Sequence, residues 1–342
     1  MSCRRCVRCQ LPASRPPPPP FAAHFPRRRE FERGLGRMGA PMARHLLQSL
    51  GPTDTLHVYD TYGPAIQSFS QSCPSAHVTN SSTECIKTAV TVITMLPNTS
   101  HVQSVFEPFL QSNEDPSALR GRLFVDSSTI SPAATKLLSD ALTRFGATLV
   151  DAPVSGGVVG AQAASLTFMI SHPASIPLSR IESLLKTMGE RIIVCGDYPG
   201  AGLAAKLANN YALALNNIAI CDAMLLGQKL GLDARILANV INTSTGRCWP
   251  SEANNPVSGI SKAAPAERDY EGGFGVGLMR KDLELALEAE KNADILVGKD
   301  GAKGSLSNMS TVALDLYRQV EASEKFGKKD FSAVYQYLKE KA

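Results

Sequence analysis

No uninterrupted apolar run in this 342-residue sequence reaches the length that spans a bilayer, although 44% of the residues are hydrophobic. The chain therefore has the material for a large buried core, and it predicts one or two soluble domains with no membrane segment. A basic surface is also missing from most of it. The formal charge of +4 is misleading, because residues 1 to 33 hold eight Arg against two Glu and leave the rest of the chain net negative by two. That near-neutral body excludes a nucleic-acid footprint.

Cysteine spacing gives no disulfide framework. Cys73, Cys85, Cys195, Cys221 and Cys248 are scattered through the body, as reduced thiols are, and Cys3, Cys6 and Cys9 stand apart in a leader. No second ligand cluster follows that leader triplet. His24, His45, His57, His77, His101 and His172 also lack ligand spacing, so no metal is expected. Internal repeats are absent.

Acidic residues are absent before Glu30, and seven of the 22 prolines fall in residues 1 to 29, including Pro16 to Pro20. Arg-rich, acid-free composition is that of a mitochondrial transit peptide. Five consecutive prolines allow only a short amphipathic helix before them, and the alternative is an unstructured leader.

Past the leader, short apolar runs alternate with helical periodicity. The runs are "TLHVYD" (55 to 60), "AVTVITML" (89 to 96), "LFVDSS" (123 to 128), "ATLVDAP" (147 to 153), "LTFMIS" (166 to 171) and "RIIVCG" (191 to 196). Helical stretches such as "SPAATKLLSDALTRFG" separate them, Ser131 and Pro132 forming a start and Gly146 a stop. This alternation predicts a doubly wound α/β domain over residues 30 to 199, with a mainly parallel sheet covered on both faces. From about Gly200 the strands cease. The segment "AGLAAKLANNYALALNNIAICDAMLLGQKLG" reads as one long helix, apolar nearly all round, that must be buried between domains or subunits. Residues 200 to 342 are thus expected to form an all-helical substrate and dimerisation domain, and the chain a homodimer or homotetramer.

Gly34, Leu35, Gly36, Arg37, Met38 and Gly39 fit the dinucleotide pattern G-x-G-x-x-G, with a helical stretch behind them. Alone the pattern is weak. It gains from Asp60, which ends a strand-like run 21 residues after Gly39, where a carboxylate accepts ribose hydroxyls and repels a 2′-phosphate. That favours NAD over NADP, the plain alternative being an Asp that starts a loop. Gly34 and Gly36 admit a tight turn and close approach to pyrophosphate, Gly39 admits close helix packing, and the helix N-terminus supplies free N–H groups. Arg37 is either a phosphate contact or a solvated residue.

What precedes Gly34 conflicts with this. A buried parallel strand is normally Val, Ile and Leu, yet the chain reads Arg-Arg-Arg-Glu-Phe-Glu-Arg over residues 27 to 33. Unpaired buried charges each cost several kcal/mol after relaxation. The sequence predicts that this strand forms poorly and that NAD is held weakly.

Two further stretches carry polar residues where a core needs none. Ser155, Gly156 and Gly157 follow a strand's carboxyl end, where open α/β sheets bind ligands, and present a hydroxyl and free N–H groups suited to a carboxylate; a simple glycine turn reads the same. Lys206 and Asn210 are four apart, hence on one face of the long helix. A lysine on such a helix snorkels or is used.

Six ordered motifs make the pattern specific: "GLGRMGAPMA", "DAPVSGGVVGA", the Lys206 and Asn210 pair, "STGRCWPSEANNPVSG", "GGFGVGLMRKDLELA" and "KKDFSAVYQYL". Together, from Gly34 to Leu338, they resemble the β-hydroxyacid dehydrogenases. The resemblance implies a Rossmann-type domain joined by the long helix to an all-α domain, and NAD-dependent oxidation of a small hydroxy acid. Its last three motifs point to 3-hydroxyisobutyrate, a valine breakdown product made into methylmalonate semialdehyde in mitochondria. It also implies roles. Lys206 exchanges a proton with the substrate hydroxyl, Asn210 orients it, and Ser155, Gly156 and Gly157 hold the carboxylate. Leu96, Pro97 and Thr129 line the cofactor, Lys281 reaches its nicotinamide end, and Phe274 closes over the site. His101 stands where the family has a cofactor-contacting Asn. Burial and the nearby Lys281 both lower the pKa of Lys206 in this reading. The rivals are a related semialdehyde reductase, which typically has an Arg-containing turn in place of Asp60 and Thr61, and a non-catalytic dimeric scaffold.

Overall fold

A computed structural model describes residues 29–111, 114–298 and 304–341. Residues 1 to 28, all of the leader but its last residue and including Cys3, Cys6 and Cys9, lie outside the described residues.

Six parallel strands form the first sheet: β1 (Arg29–Arg33), β2 (Thr55–Tyr59), β3 (His77–Val78), β4 (Thr91–Thr94), β5 (Leu123–Asp126) and β6 (Thr148–Asp151). Their spatial order is β3-β2-β1-β4-β5-β6. Chain direction across the sheet reverses between β1 and β4, which opens the crevice where doubly wound sheets take their ligands. Helices α1 (Gly39–Ser49), α2 (Gly63–Ser72), α3 (Ser82–Thr88), α4 (Thr99–Leu110) and α5 (Pro132–Arg144) make the crossovers. Strand residues alternate between two cores, as a pleat requires. Leu56, Val58, Ile93, Val125 and Val150 pack with Met42 and Leu46 of α1. Val92, Phe124 and Leu149 pack on the other face with Phe106 and Phe109 of α4 and Leu142 of α5.

Residues 29 to 33 do form the central strand, contrary to the expectation from their charge. β1 runs parallel to both neighbours, Glu30 opposite Leu56 on one side and Thr91 on the other. The reason lies in the backbone. Without β1, the facing N–H and C=O groups of β2 and β4 would be buried unpaired, each at the cost of a lost hydrogen bond.

A second sheet holds β7 (Val154–Ser155), β8 (Leu166–Ser171) and β9 (Gly189–Gly196), with β7 antiparallel to β8 and β9 parallel to it. Helices α6 (Gly157–Gln162) and α7 (Leu178–Leu185) connect them. The remainder is helical: α8 (Ala201–Lys229), α9 (Ala234–Thr243), α10 (Trp249–Glu252), α11 (Val276–Lys291), α12 (Ala293–Val297), α13 (Met309–Glu321) and α14 (Val334–Lys341). Among the described residues no helix is long and apolar enough to cross a membrane.

α8 is buried along one face rather than all round. Leu203, Lys206, Leu207, Asn210, Ala214, Asn217, Cys221 and Met224 face inward at helical spacing, and α11, α13 and α14 pack against it. Ala208, Ala212, Asn216, Ala219 and Leu226 stay exposed, because the C-terminal helices cover only one side.

Candidate active site

The loop from β1 into α1 has the geometry that a dinucleotide needs. Gly34 has φ of +105°, and a Cβ on it would stand 2.1 Å from the Met95 carbonyl oxygen of the neighbouring strand's loop, so only glycine fits. At Gly36 a Cβ would meet nothing within 4 Å, which leaves open space in front of the helix. α1 has Met38 at its N-cap, with no side-chain cap and no acid in its first turn. Its free N–H groups and partial positive charge are therefore available to a pyrophosphate.

Asp60, one residue past β2, lies beside this loop. Its Oδ2 accepts the Leu35 N–H at 2.6 Å and its Oδ1 the Tyr62 N–H at 2.7 Å. The carboxylate is thus fixed against the glycine loop with lone pairs to spare for ribose hydroxyls. Arg37 is exposed, and Gly39 is buried in the first turn of α1. This cradle fits the pyrophosphate and ribose of a dinucleotide.

The next two strand ends form the adjoining wall. Thr94 Oγ1 donates to Asp126 Oδ1 at 2.7 Å, the Ser128 N–H reaches the same oxygen, and Ser128 Oγ accepts the Leu96 N–H at 2.8 Å. Burial pushes the Asp126 carboxyl up to about 6, against the pull of those hydrogen bonds. Leu96 and Thr129 are half-buried and Pro97 exposed at the rim. His101 is exposed in the first turn of α4, its N–H held by the Asn98 cap.

Lys281 of α11 bridges this wall. Its ammonium donates to the Pro97 carbonyl at 3.1 Å and the Thr129 carbonyl at 2.8 Å, joining the helical part to the loops after β4 and β5. Its neighbour Asp282 is buried, with Oδ1 3.4 Å from the Lys281 ammonium. Asp282 Oδ2 accepts the Asn210 side-chain amide at 2.6 Å. Lys206, one turn before Asn210, is only 8% exposed. Desolvation lowers its pKa, the Asp282 charge raises it in part, and Lys281 lowers it further. Lys206, Asn210 and Lys281 are therefore brought together as the sequence indicated. Asp282 was missed, because a Lys-Asp step on a helix reads as a solvated pair until α11 packs on α8.

Ser155 ends β7, and Gly156 and Gly157 follow with φ of +127° and +60°, both exposed. Positive φ at two successive positions is backbone that glycine adopts without strain. Phe274 is half-buried two residues before α11, its N–H on Asp330 Oδ2 at 2.8 Å and its ring edge-on to Phe331. It is thus anchored to the C-terminal tail.

Residues 33–196 match the family model described as the NAD binding domain of 6-phosphogluconate dehydrogenase. Residues 200–338 match that described as NAD-binding of NADP-dependent 3-hydroxyisobutyrate dehydrogenase. The mitochondrial 3-hydroxyisobutyrate dehydrogenase of Drosophila melanogaster is 40% identical over 306 residues, 90% of this chain and 88% of the relative. The human enzyme of the same name is 37% identical over 310 residues, 90% of this chain and 85% of its own. In structure the chain is similar to Mycobacterium tuberculosis 3-hydroxyisobutyrate dehydrogenase solved with L-serine, at a TM-score of 0.79 and 36% identity, covering 91% of this chain and 99% of that one.

Proposed function

The chain belongs to the 3-hydroxyisobutyrate dehydrogenase family, a group of nicotinamide-dependent oxidoreductases, and on that footing we propose that it oxidises 3-hydroxyisobutyrate to methylmalonate semialdehyde. The observation that carries this reading is Lys206, whose pKa is lowered first by burial and then modulated by the charges of Asp282, which also holds Asn210, and Lys281. A desolvated lysine with a lowered pKa gives up its proton more readily than a solvated one, which is what a general acid–base group needs.

On this reading each residue has a role. Ser155 Oγ and the N–H groups of Gly156 and Gly157 hold the substrate carboxylate. Asn210, fixed by Asp282, orients the hydroxyl oxygen, and neutral Lys206 takes the hydroxyl proton. A bound NAD would supply the hydride acceptor for the carbon that bears this hydroxyl. Gly34 to Gly39 would hold its pyrophosphate, Asp60 its ribose, and Leu96, Pro97, His101 and Thr129 would line its path. Lys281 fixes the Pro97 and Thr129 carbonyls and keeps positive charge near Lys206, and Phe274 covers the site.

Asp60 supports NAD over NADP, since a carboxylate held against the glycine loop just past β2 would accept ribose hydroxyls and repel a 2′-phosphate. The acid-free leader, together with relatives named mitochondrial, supports a place in the mitochondrial matrix. The exposed face of α8 supports a homodimer, which sedimentation would register as twice the chain mass.

The test is the initial rate of NADH or NADPH turnover across a set of small hydroxy acids and semialdehydes. The highest kcat/KM is expected for 3-hydroxyisobutyrate with NAD. A preference for reducing a semialdehyde with NADPH would replace this reading with that of a reductase.

A further inference from the structure

Asp151 closes β6, at the hinge between the substrate cradle and the helix that carries Lys206. It is fully buried, and both of its oxygens are engaged by α8. Oδ1 accepts the Gly200 N–H at 2.8 Å and Oδ2 the Leu203 N–H at 2.9 Å. Gly200, the residue at the helix cap, has no side chain to do this itself. A local Ser or Asp would stabilise the helix end equally well. A carboxylate brought from 49 residues earlier adds something that a local cap does not: it fixes where the helix starts relative to the sheet.

The contact is close by construction. A Cβ on Gly202 would stand 2.2 Å from the Met169 carbonyl of β8 and 3.0 Å from Asp151 Oδ2, so α8 meets the two strands backbone to carboxylate. Leu203 lies on the inward face of α8, one turn before Lys206 and two turns before Asn210. In the other direction, β6 runs through Ala152 and Pro153 into β7, which ends at Ser155. Ser171 Oγ accepts the Asp151 N–H at 3.2 Å; burial raises the Asp151 pKa, and hydrogen bonds from Ser171 and the α8 N–H groups pull it back in part.

We propose that Asp151 is a positioning residue for the reaction, locking the start of α8 so that Lys206 and Asn210 face the Ser155 to Gly157 cradle at a fixed depth. This rests on the reading of Lys206 as the proton carrier. Asp151 acts through geometry and not through its field, since the charges that bear on Lys206 are Asp282 and Lys281.

The test compares Asp151→Asn with Asp233→Asn on the intact chain. Asn keeps one acceptor at position 151 and turns an amide donor toward a helix N–H. A misplaced reacting group costs roughly 10- to 100-fold, so kcat is expected to fall by about that factor while the Kd for NAD stays unchanged. The limb of the pH profile governed by Lys206 is expected to move upward, as the lysine becomes better solvated. Asp233 caps α9 through the Arg235 and Ile236 N–H groups, and since Asn caps a helix about as well as Asp, its variant should keep kcat and profile unchanged. Wild-type kcat and pH profile in a folded, NAD-binding Asp151→Asn overturns the proposal. If that variant does not fold, Ser171→Ala is judged by the same readouts and the same two outcomes. Lys206→Ala runs alongside. Wild-type turnover there removes the reading of Lys206 and Asp151's role with it, whereas an inactive Lys206→Ala beside an unaltered Asp151→Asn removes the positioning role alone.

Discussion

The side-chain amide of Asn210 donates to Asp282 at 2.6 Å, joining α8 to α11 through a hydrogen bond that is buried on both sides. The same carboxylate faces the Lys281 ammonium, so one group orients Asn210 and offsets the desolvation of Lys206.

Opposite shifts are therefore expected from two neighbouring substitutions. The Asp282 charge raises the Lys206 pKa and Lys281 lowers it. Asp282→Asn should move the Lys206 limb of the kcat/KM profile to lower pH, and Lys281→Met should move it to higher pH. Full pH-rate profiles of both variants check this, and shifts of the same sign would contradict the electrostatic assignment.

Asp60 should govern cofactor choice. Its Oδ2 already accepts the Leu35 N–H, and a hydrogen bond to a charged group is worth roughly 1.5–3 kcal/mol. Asp60→Ala is expected to weaken NAD binding by about 10- to 100-fold and to narrow the gap to NADP, both measured by calorimetry. An unchanged NAD to NADP ratio would show that discrimination lies elsewhere.

Charge in the central strand should limit stability. β1 has partners on both edges and reads Arg-Glu-Phe-Glu-Arg, where such strands are normally apolar. Replacing residues 29 to 33 by a Val- and Ile-rich strand is expected to raise Tm by roughly 5 °C or more, since a single kcal/mol is worth a few degrees in a chain of this size. Because Gly34 follows directly, NAD affinity should rise too. A lower Tm would mean that the charged residues are well accommodated.

Stability should also depend on Asp126. Its folded pKa, raised to about 6 by burial, exceeds the ordinary value of 3.8, so the native state holds the proton more tightly than the unfolded chain. The sign follows: the group costs nothing in acid, destabilises progressively as pH rises from about 4 to about 6, and carries its full penalty above that. Asp126→Asn keeps the acceptor for Thr94 and Ser128 and removes the charge. Its gain over wild type in urea unfolding should grow with pH to about 3 kcal/mol at pH 7, an upper figure from the size of the shift. A gain independent of pH would remove Asp126 as the cause.

Much of this arrangement is legible in the chain. "TLHVYD", "LFVDSS" and "LTFMIS" become β2, β5 and β8 because Val, Ile, Leu and Phe there fill cores on the sheet faces. The glycine loop and Asp60 were legible because dinucleotide binding needs those residue types at that spacing. β3 was missed, since two residues give no periodicity, and so was the antiparallel turn of β7. Local charge hid β1, which its neighbours' backbones impose. Asp282 and Asp151 were hidden for a related reason. Each acts across 49 to 72 residues of sequence, on partners that only tertiary packing brings near.

The most direct measurement is NADH formation from 3-hydroxyisobutyrate by wild type and Lys206→Met, with NAD binding by each measured in parallel. Removal of a general acid–base group typically costs 10²- to 10⁴-fold, so kcat should fall by about that much while NAD binds as before. A Lys206→Met variant that binds NAD and turns over at the wild-type rate would contradict the account.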